Sequence, residues 1–585
     1  MKILNTKIYL LIGTLLCTAT LFAQTQTSQT PPVPKDPRIS WPTRRDLKPG
    51  ETLPPFNPQL KSTLVTKANA SDGAIVDGMD VRVFPSPNPQ SEVHISINHK
   101  DPNNLIASAN TGLGLYGGKF FYNQGYYYSW DGGYTWSGAD FLQTAPRNYV
   151  LGDPSTGIAA NGTVIITSIG FDVNQFSYTY WFQKSRNGGN TWSNAKSGIN
   201  YQTFGFDKDM MGVDNDPHSP YANNFYMSYT DFSFGGGEVI FNRSTDLGQT
   251  FSSPIIIRNQ VAGFGQGTNV QTGPNGEVYV CWADHDSVVF PYRADALGFA
   301  RSMDGGANFS SSKRVFNYSG TRTFGTDPTY NYVRVSDFPA MAVDKSNGWH
   351  RGRIYVTYPA LKNDTGKSII EVRWSDDKGD TWSNPVKVNI PRGRENFFPW
   401  IATDDATGDV WVVYYSFDTP TQYETNTYVA LSTDGGATWQ NQKVSDVSHI
   451  TQPVDNNYFA YGYAGDYIGI TAYGGKAYPA WMDERNGTWQ IYVSPVSKSS
   501  MTAAQPTLQS NLTVGPNPFN SNLSVNLAKG TVGKIELVNQ SGVTLKLWQN
   551  AKTTTLNVSD VPRGSYLLKV TGTDNKVYTQ KIIKE

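Results

Sequence analysis

Seven polar residues, Glu92, Asp153, Asp209, Asn269, Asp337, Asn396 and Asp466, each stand at the head of an apolar run with the character of a β-strand, and five of the seven are carboxylates. Gathered in one place, carboxylates can hold a cation, or crowding and burial can push one pKa up so that a protonated acid sits beside an ionised base. A third reading needs no chemistry, because polar side chains also line wet channels and cap backbone groups. Two turns, Asp214-Asn-Asp-Pro-His218 and Asp404-Asp-Ala-Thr-Gly-Asp409, offer oxygen ligands at a spacing that calcium accepts, and they equally have the residues that hairpin turns use. No cofactor other than calcium is suggested. With 6 histidines and no His-x-x-x-His pair, catalytic zinc has no support. Cys281, in Val278-Tyr-Val-Cys-Trp282, is expected to be a small buried core residue.

The elements that must position these residues are repeated. Six segments read Ser-x-Asp-x-Gly-x-Thr-Trp or nearly so: Ser129 to Trp136, Ser185 to Trp192, Ser244 to Phe251, Ser302 to Phe309, Ser375 to Trp382 and Ser432 to Trp439. Their third residues are separated by 56, 59, 58, 73 and 57 positions, so one structural unit recurs. The carboxylate can accept backbone N–H groups of its own turn, the glycine can take positive φ, and the aromatic can fold back onto a sheet. Between these boxes run apolar strands such as Gly276-Glu-Val-Tyr-Val-Cys-Trp282 and Gly408-Asp-Val-Trp-Val-Val-Tyr414, hydrophobic on both faces as a strand must be when sandwiched between neighbours. Aromatics at 13% and 55 glycines fit many short strands joined by tight turns.

The six boxes resemble the Asp-box of sialidases and related proteins, and the resemblance implies an all-β fold, a β-propeller with the boxes on its outer rim. Seven strand pairs against six boxes predict seven blades, with the six of true sialidases as the alternative. Val81-Arg-Val-Phe84 is expected to close the ring as the outer strand of the last blade. Sialidase resemblance further implies an arginine cluster that clamps a carboxylate, a tyrosine nucleophile and an acid. Arg82, in Val81-Arg-Val-Phe-Pro85, departs from the family's Phe/Tyr-Arg-Ile-Pro motif; Arg334, Arg394 and Arg485 are the other candidates for substrate binding, and Tyr463 is the candidate tyrosine. Other glycosidases of this kind use two carboxylates, which Asp153, Asp209, Asp337 and Asp466 can supply. The aromatics Tyr116, Phe120, Phe121, Tyr122, Tyr126, Tyr127 and Tyr128 fit either sugar stacking or a blade core.

At the N-terminus, Lys2 and Lys7 precede an apolar run from Ile8 to Leu21 that ends at Phe22-Ala23, the pattern of a signal peptide over residues 1–23. A Pro/Thr-rich leader follows over 24–60, the propeller over 61–497, and a linker over 498–509. Residues 510–585 alternate as short strands of a β-sandwich, and Pro516-Asn-Pro518, Gly564-Ser-Tyr-Leu567 and Lys581-Ile-Ile-Lys584 resemble the C-terminal sorting domain of the type IX secretion system of Bacteroidetes. That resemblance implies passage through the periplasm to the outer-membrane surface or the medium, with the secretion machinery as a partner. Charge is balanced at 48 basic and 48 acidic residues, with no basic run to grip phosphates, so nucleic acid is not an expected partner. No later apolar stretch is long enough for a transmembrane helix. The functional expectation is a glycoside hydrolase acting on extracellular glycans; the alternative is a non-catalytic surface propeller that binds glycans or proteins.

Overall fold

The computed structural model describes residues 75–498 and 512–584 apart from short internal stretches, the two longest being 143–149 and 454–461. The expected signal peptide and the whole of the expected leader lie outside the described residues. The chain divides into two compact units, Met1–Lys498 and Ser499–Glu585. Among the described residues no helix is long and apolar enough to cross a membrane.

The first unit is a seven-bladed propeller. Each blade is an antiparallel sheet of four strands with its innermost strand first, as in Phe206–Val213, Phe225–Asp231, Glu238–Ser244 and Ile255–Arg258 of the third blade. The innermost strands begin at Gln90, Val150, Phe206, Phe264, Ala340, Asn396 and Gly469. Each packs beside the next, and the seventh packs beside the first, so the ring is closed. The closure follows the expected pattern: Val81–Arg82 pairs with Gln490–Val493 and completes the seventh blade, which has no box of its own. The second strands Val164–Asp172, Phe225–Asp231, Val278–His285 and Val410–Phe417 are buried along their whole length, because both faces meet a neighbouring blade.

Every box joins the third strand of its blade to the fourth and has the predicted hydrogen bonds. In the first, Asp131 Oδ1 accepts from Thr135 N at 2.9 Å, Gly133 N donates to Ser129 Oγ at 2.9 Å, and Trp136 Nε1 donates to Gly133 O at 3.0 Å. Gly133 sits at φ 86°, where a side chain would be strained. The boxes are therefore devices of the rim. Cys281 is fully buried in the fourth blade. Of the aromatic crowd whose side chains are described, Tyr127 is buried and donates to Asp140 Oδ1 at 3.0 Å, Tyr126 packs edge-on to Trp192, and Tyr128 donates to Asn190. Tyr126 and Tyr128 pack between the first two blades, and Tyr127 packs between the first blade and the seventh.

The second unit is a sandwich of two sheets, three strands spanning Leu512–Gly515, Asn522–Leu527 and Thr555–Asn557, and four spanning Val532–Val538, Thr544–Gln549, Gly564–Gly572 and Val577–Lys584. Strict alternation along Asn522–Leu527 places Leu523 and Val525 in a core shared with Ile535, Leu568 and Ile582. Lys584, near the chain end, donates to the carbonyls of Val558 at 2.7 Å and Ser559 at 2.9 Å, which ties the last strand to the opposite sheet.

Candidate functional site

A shared irregularity in the inner strands builds the centre. In five of them the pairing with the second strand slips by one residue, two residues standing opposite one, between Ser91 and His94, Gly152 and Ser155, Asp207 and Met210, Gln266 and Asn269, and Phe397 and Trp400. The first bulged residue is left-handed each time: Glu92 at φ 58°, Asp153 at 53°, Lys208 at 51°, Gly267 at 65° and Phe398 at 49°. Only glycine adopts this conformation freely, and a side chain there costs about 1–2 kcal/mol. Three consecutive blades nonetheless place charged residues at it.

Those three meet. The Glu92 and Asp153 side chains lie within hydrogen-bonding reach of one another, so each carboxyl feels its neighbour's charge. Burial, then the Asp466 charge, raises Glu92; burial, then the Glu92 charge, raises Asp153 well above the carboxylate range. Lys208 N donates to Asp153 Oδ2 at 2.9 Å, while its ammonium lies 3.3 Å from the Tyr467 ring centre and has no hydrogen-bond acceptor among the described residues. Burial lowers the Lys208 pKa against the pull of Asp153, Glu92, Asp466 and Asp209. From the opposite side Arg334 grips Asp466 with two bonds, Nε to Oδ1 at 3.1 Å and Nη2 to Oδ2 at 2.6 Å. Burial works against the Arg334 charge, but Asp466 outweighs it and raises its pKa.

Tyr463 lies against this ion pair, its ring centre 4.8 Å from the Arg334 guanidinium. Its hydroxyl meets Ser91 Oγ at 3.0 Å and accepts from Asn110 Nδ2 at 3.1 Å. The same Asn110 amide donates to Glu92 Oε2 at 2.6 Å, so an amide, and not a direct carboxylate contact, links tyrosine and glutamate. A tyrosine nucleophile needs a base to take its proton.

The structure thus brings Asp153, Asp466, Tyr463 and Arg334 together, with Asp209 next to Lys208 in the bulge. Asp209 is fully buried, and among the described residues neither carboxylate oxygen has a partner beyond its own backbone N–H, so burial raises its pKa well above the usual range. Asp337 faces the fourth blade instead, accepting from Ala294 N at 2.7 Å with His285 Nε2 at 3.8 Å. Burial tends to raise its pKa, but the His285 contact and charge and Arg322 outweigh this and lower it. Asn269 and Asn396 fall outside the bulge; Asn396 donates to Ser368 O at 3.1 Å.

The remaining arginines are dispersed. Arg82 is solvent-exposed on the outermost strand of the seventh blade, because the residues around it serve as the ring's closing strand. Arg485 is held near that strand, bonded to Asp80 Oδ2 at 2.7 Å and to Asp483. Arg394 lies outside the described residues. Two residues that sequence reasoning did not single out do reach the centre: Lys208, and Arg322, which donates to Gln266 Oε1 at 2.5 Å beside Asp337, Asp466 and Asp207.

The two turns with calcium-like spacing have their oxygens engaged. Asp404 Oδ1 accepts from Ala406 N and Gly474 N, each at 2.9 Å, and Oδ2 from Gly475 N at 2.6 Å; Asp214 Oδ2 accepts from Ser219 Oγ at 2.5 Å. Asp404 thereby fastens the sixth blade to the seventh.

Residues 513–585 match the model of the secretion system C-terminal sorting domain. No curated protein matches the chain. Among solved structures, the chain is similar to a protein of unknown function from Dyadobacter fermentans at 14% identity and a TM-score of 0.39, over 73% of this chain and 99% of that one. It is also similar to the GH93 α-L-arabinofuranosidase of Fusarium graminearum in complex with arabinobiose, at 13% identity and a TM-score of 0.42, over 62% of this chain and 98% of that one. A third, the intramolecular trans-sialidase from Ruminococcus gnavus, has 13% identity and a TM-score of 0.34, over 72% and 98% of the two chains. Sheets, boxes and terminal match together describe a seven-bladed Asp-box propeller that carries a secretion sorting domain at its C-terminus.

Proposed function

We propose that this chain is an exported glycoside hydrolase of the two-carboxylate kind, in which the Glu92–Asp153 pair holds the proton given to the leaving group and Asp466, paired with Arg334, is the ionised partner. The single observation that carries the reading is the grouping at the propeller centre of two buried neighbouring carboxyls, Glu92 and Asp153, with Asp466, which Arg334 holds by two bonds. Environments that hold one carboxyl protonated and another charged are what acid/base hydrolysis of a glycosidic bond requires. Lys208 and Arg334 keep four buried carboxyls from repelling one another. Tyr463, whose hydroxyl accepts from the Asn110 amide that also donates to Glu92, is the candidate residue for a tyrosine route.

One observation favours the non-catalytic alternative. None of Glu92, Asp153, Lys208, Asp209, Arg334, Tyr463 and Asp466 is more than 6% exposed, and a substrate has to reach them for reaction. In that reading the same cluster stabilises the ring while the surface binds glycans. The test is hydrolysis of a fluorogenic sialoside, an arabinan and a panel of neutral and acidic polysaccharides by the full secreted chain, with Asp153→Asn, Glu92→Gln and Asp466→Asn alongside. Turnover that all three substitutions abolish supports the proposal. Silence across the panel from protein with a native circular-dichroism spectrum refutes it.

A further inference from the structure

The opposite end of the ring holds a second polar site, unconnected with the proposed hydrolysis. Where the inner strands finish, a cavity of about 510 Å³ opens between the ends of several blades, within the roughly 300–1,000 Å³ of small-molecule sites. It leads into the central channel, with which it shares His99, Asn215, Lys345 and Asp405. The wall bears three cations, Lys100, Lys345 and Arg351, and two carboxylic acids, Asp216 and Asp405.

These charges are arranged, not scattered. Lys345 bonds Asn215 and stands 3.7 Å from Asp405, and Arg351 stands 3.8 Å from Asp216 while donating to the carbonyl of Ser346 at 3.0 Å. Lys100 lines the cavity with its side chain exposed. Burial, with the Lys345 charge, lowers His99 to about 4, so its ring is neutral at pH 7. It stacks on Tyr473 at 4.6 Å between ring centres, forming one side of the cavity. Burial raises the Asp405 pKa, opposed by Lys345, so the two acids contribute no more than two negative charges against three positive ones.

We infer that this cavity binds a carboxylate-bearing sugar, a monosaccharide acid or the acidic end of a glycan. The surplus of positive charge suits a monoanion. A dianion such as phosphate would meet Asp216 and Asp405 at close range, whereas sugar hydroxyls can donate to those same carboxylates and accept from Asn215 and Lys345. The His99–Tyr473 stack supplies an apolar wall for a sugar ring.

The test is titration calorimetry of the full secreted chain with glucuronate, with glucose and acetate as controls. Glucuronate is expected to bind saturably and more tightly than either control, and to weaken as salt rises. Lys100→Gln and Arg351→Gln are each expected to weaken it by about tenfold, the loss of one charge-assisted contact. Lys100 is exposed, so Lys100→Gln is expected to keep the native circular-dichroism spectrum, which separates a loss of binding from a loss of fold. Glu92→Gln at the other end is expected to leave glucuronate binding unchanged, which separates this site from the proposed hydrolytic centre. No saturable binding, equal binding of glucose, or binding unaltered by both cavity substitutions overturns the inference.

Discussion

Replacing Asp209 with asparagine should make the propeller's stability depend less on pH. Asp209 is fully buried and, among the described residues, its carboxylate oxygens have no partner beyond its own backbone N–H, so burial holds it protonated in the fold well above the pH at which it ionises in the unfolded chain. The folded state therefore keeps a proton that the unfolded state releases. With the pKa raised on folding, this group's contribution is fully present below the unfolded value, near 4, and is lost as pH rises towards the folded value. One proton's difference corresponds to about 1.4 kcal/mol of stability lost per pH unit in that window. Asparagine has nearly the same shape and cannot titrate, so Asp209→Asn should lack this slope and gain on the wild type by about 1.4 kcal/mol for each unit. Urea unfolding at pH 5, 6 and 7, followed by tryptophan fluorescence, measures both slopes. Equal slopes would mean that Asp209 ionises normally, through water or an ion at its oxygens, and the account of the buried cluster would be wrong.

Arg334→Met leaves buried Asp466 without its cation and should cost about 3–5 kcal/mol; the double substitution with Asp466→Asn should recover much of that in urea midpoints. Asp377→Ala, in a rim box, should cost about 1–2 kcal/mol through lost turn hydrogen bonds without altering any hydrolytic activity. Asp377→Asn should be nearly neutral, since Asn187 makes the same bond to Thr191 N at 2.9 Å in the second box. Removing residues up to 84 exposes the edge Gln490–Val493 and should make the seventh blade the first site of limited proteolysis, read by mass spectrometry.

The propeller was legible because its signals are local and repeated. Each box declares a turn between two strands, and the absence of a seventh box obliged an upstream strand to close the ring. Val81–Arg82 pairs with Gln490–Val493 as that logic requires. The same pairing explains why an arginine near a family motif could mislead. Its strand lies at the rim, farthest from the axis.

The centre was harder to read, because its chemistry depends on register. Seven polar residues ahead of seven strands look equivalent in sequence, yet the two-residue bulge sorts them. Glu92 and Asp153 occupy its first position and Asp209 its second, while Asn269 and Asn396 lie outside it. A slip of one residue in a strand turns a side chain to the other face, so composition could indicate a polar centre without identifying its members. Lys208, between two aspartates, has the appearance of a solvated charge run, and only the bulge turns it onto Tyr467. At the same bulged position the fourth blade has Gly267 and the sixth Phe398, which packs on Tyr415. The repeat therefore conserves a strained backbone position around the ring, and the first three blades alone among these five use it for charge. A fold that needed only ring closure would have no reason to place acid, acid and base there in succession at the cost of backbone strain. That concentration of strain and charge is the strongest physical argument that the centre has a chemical task.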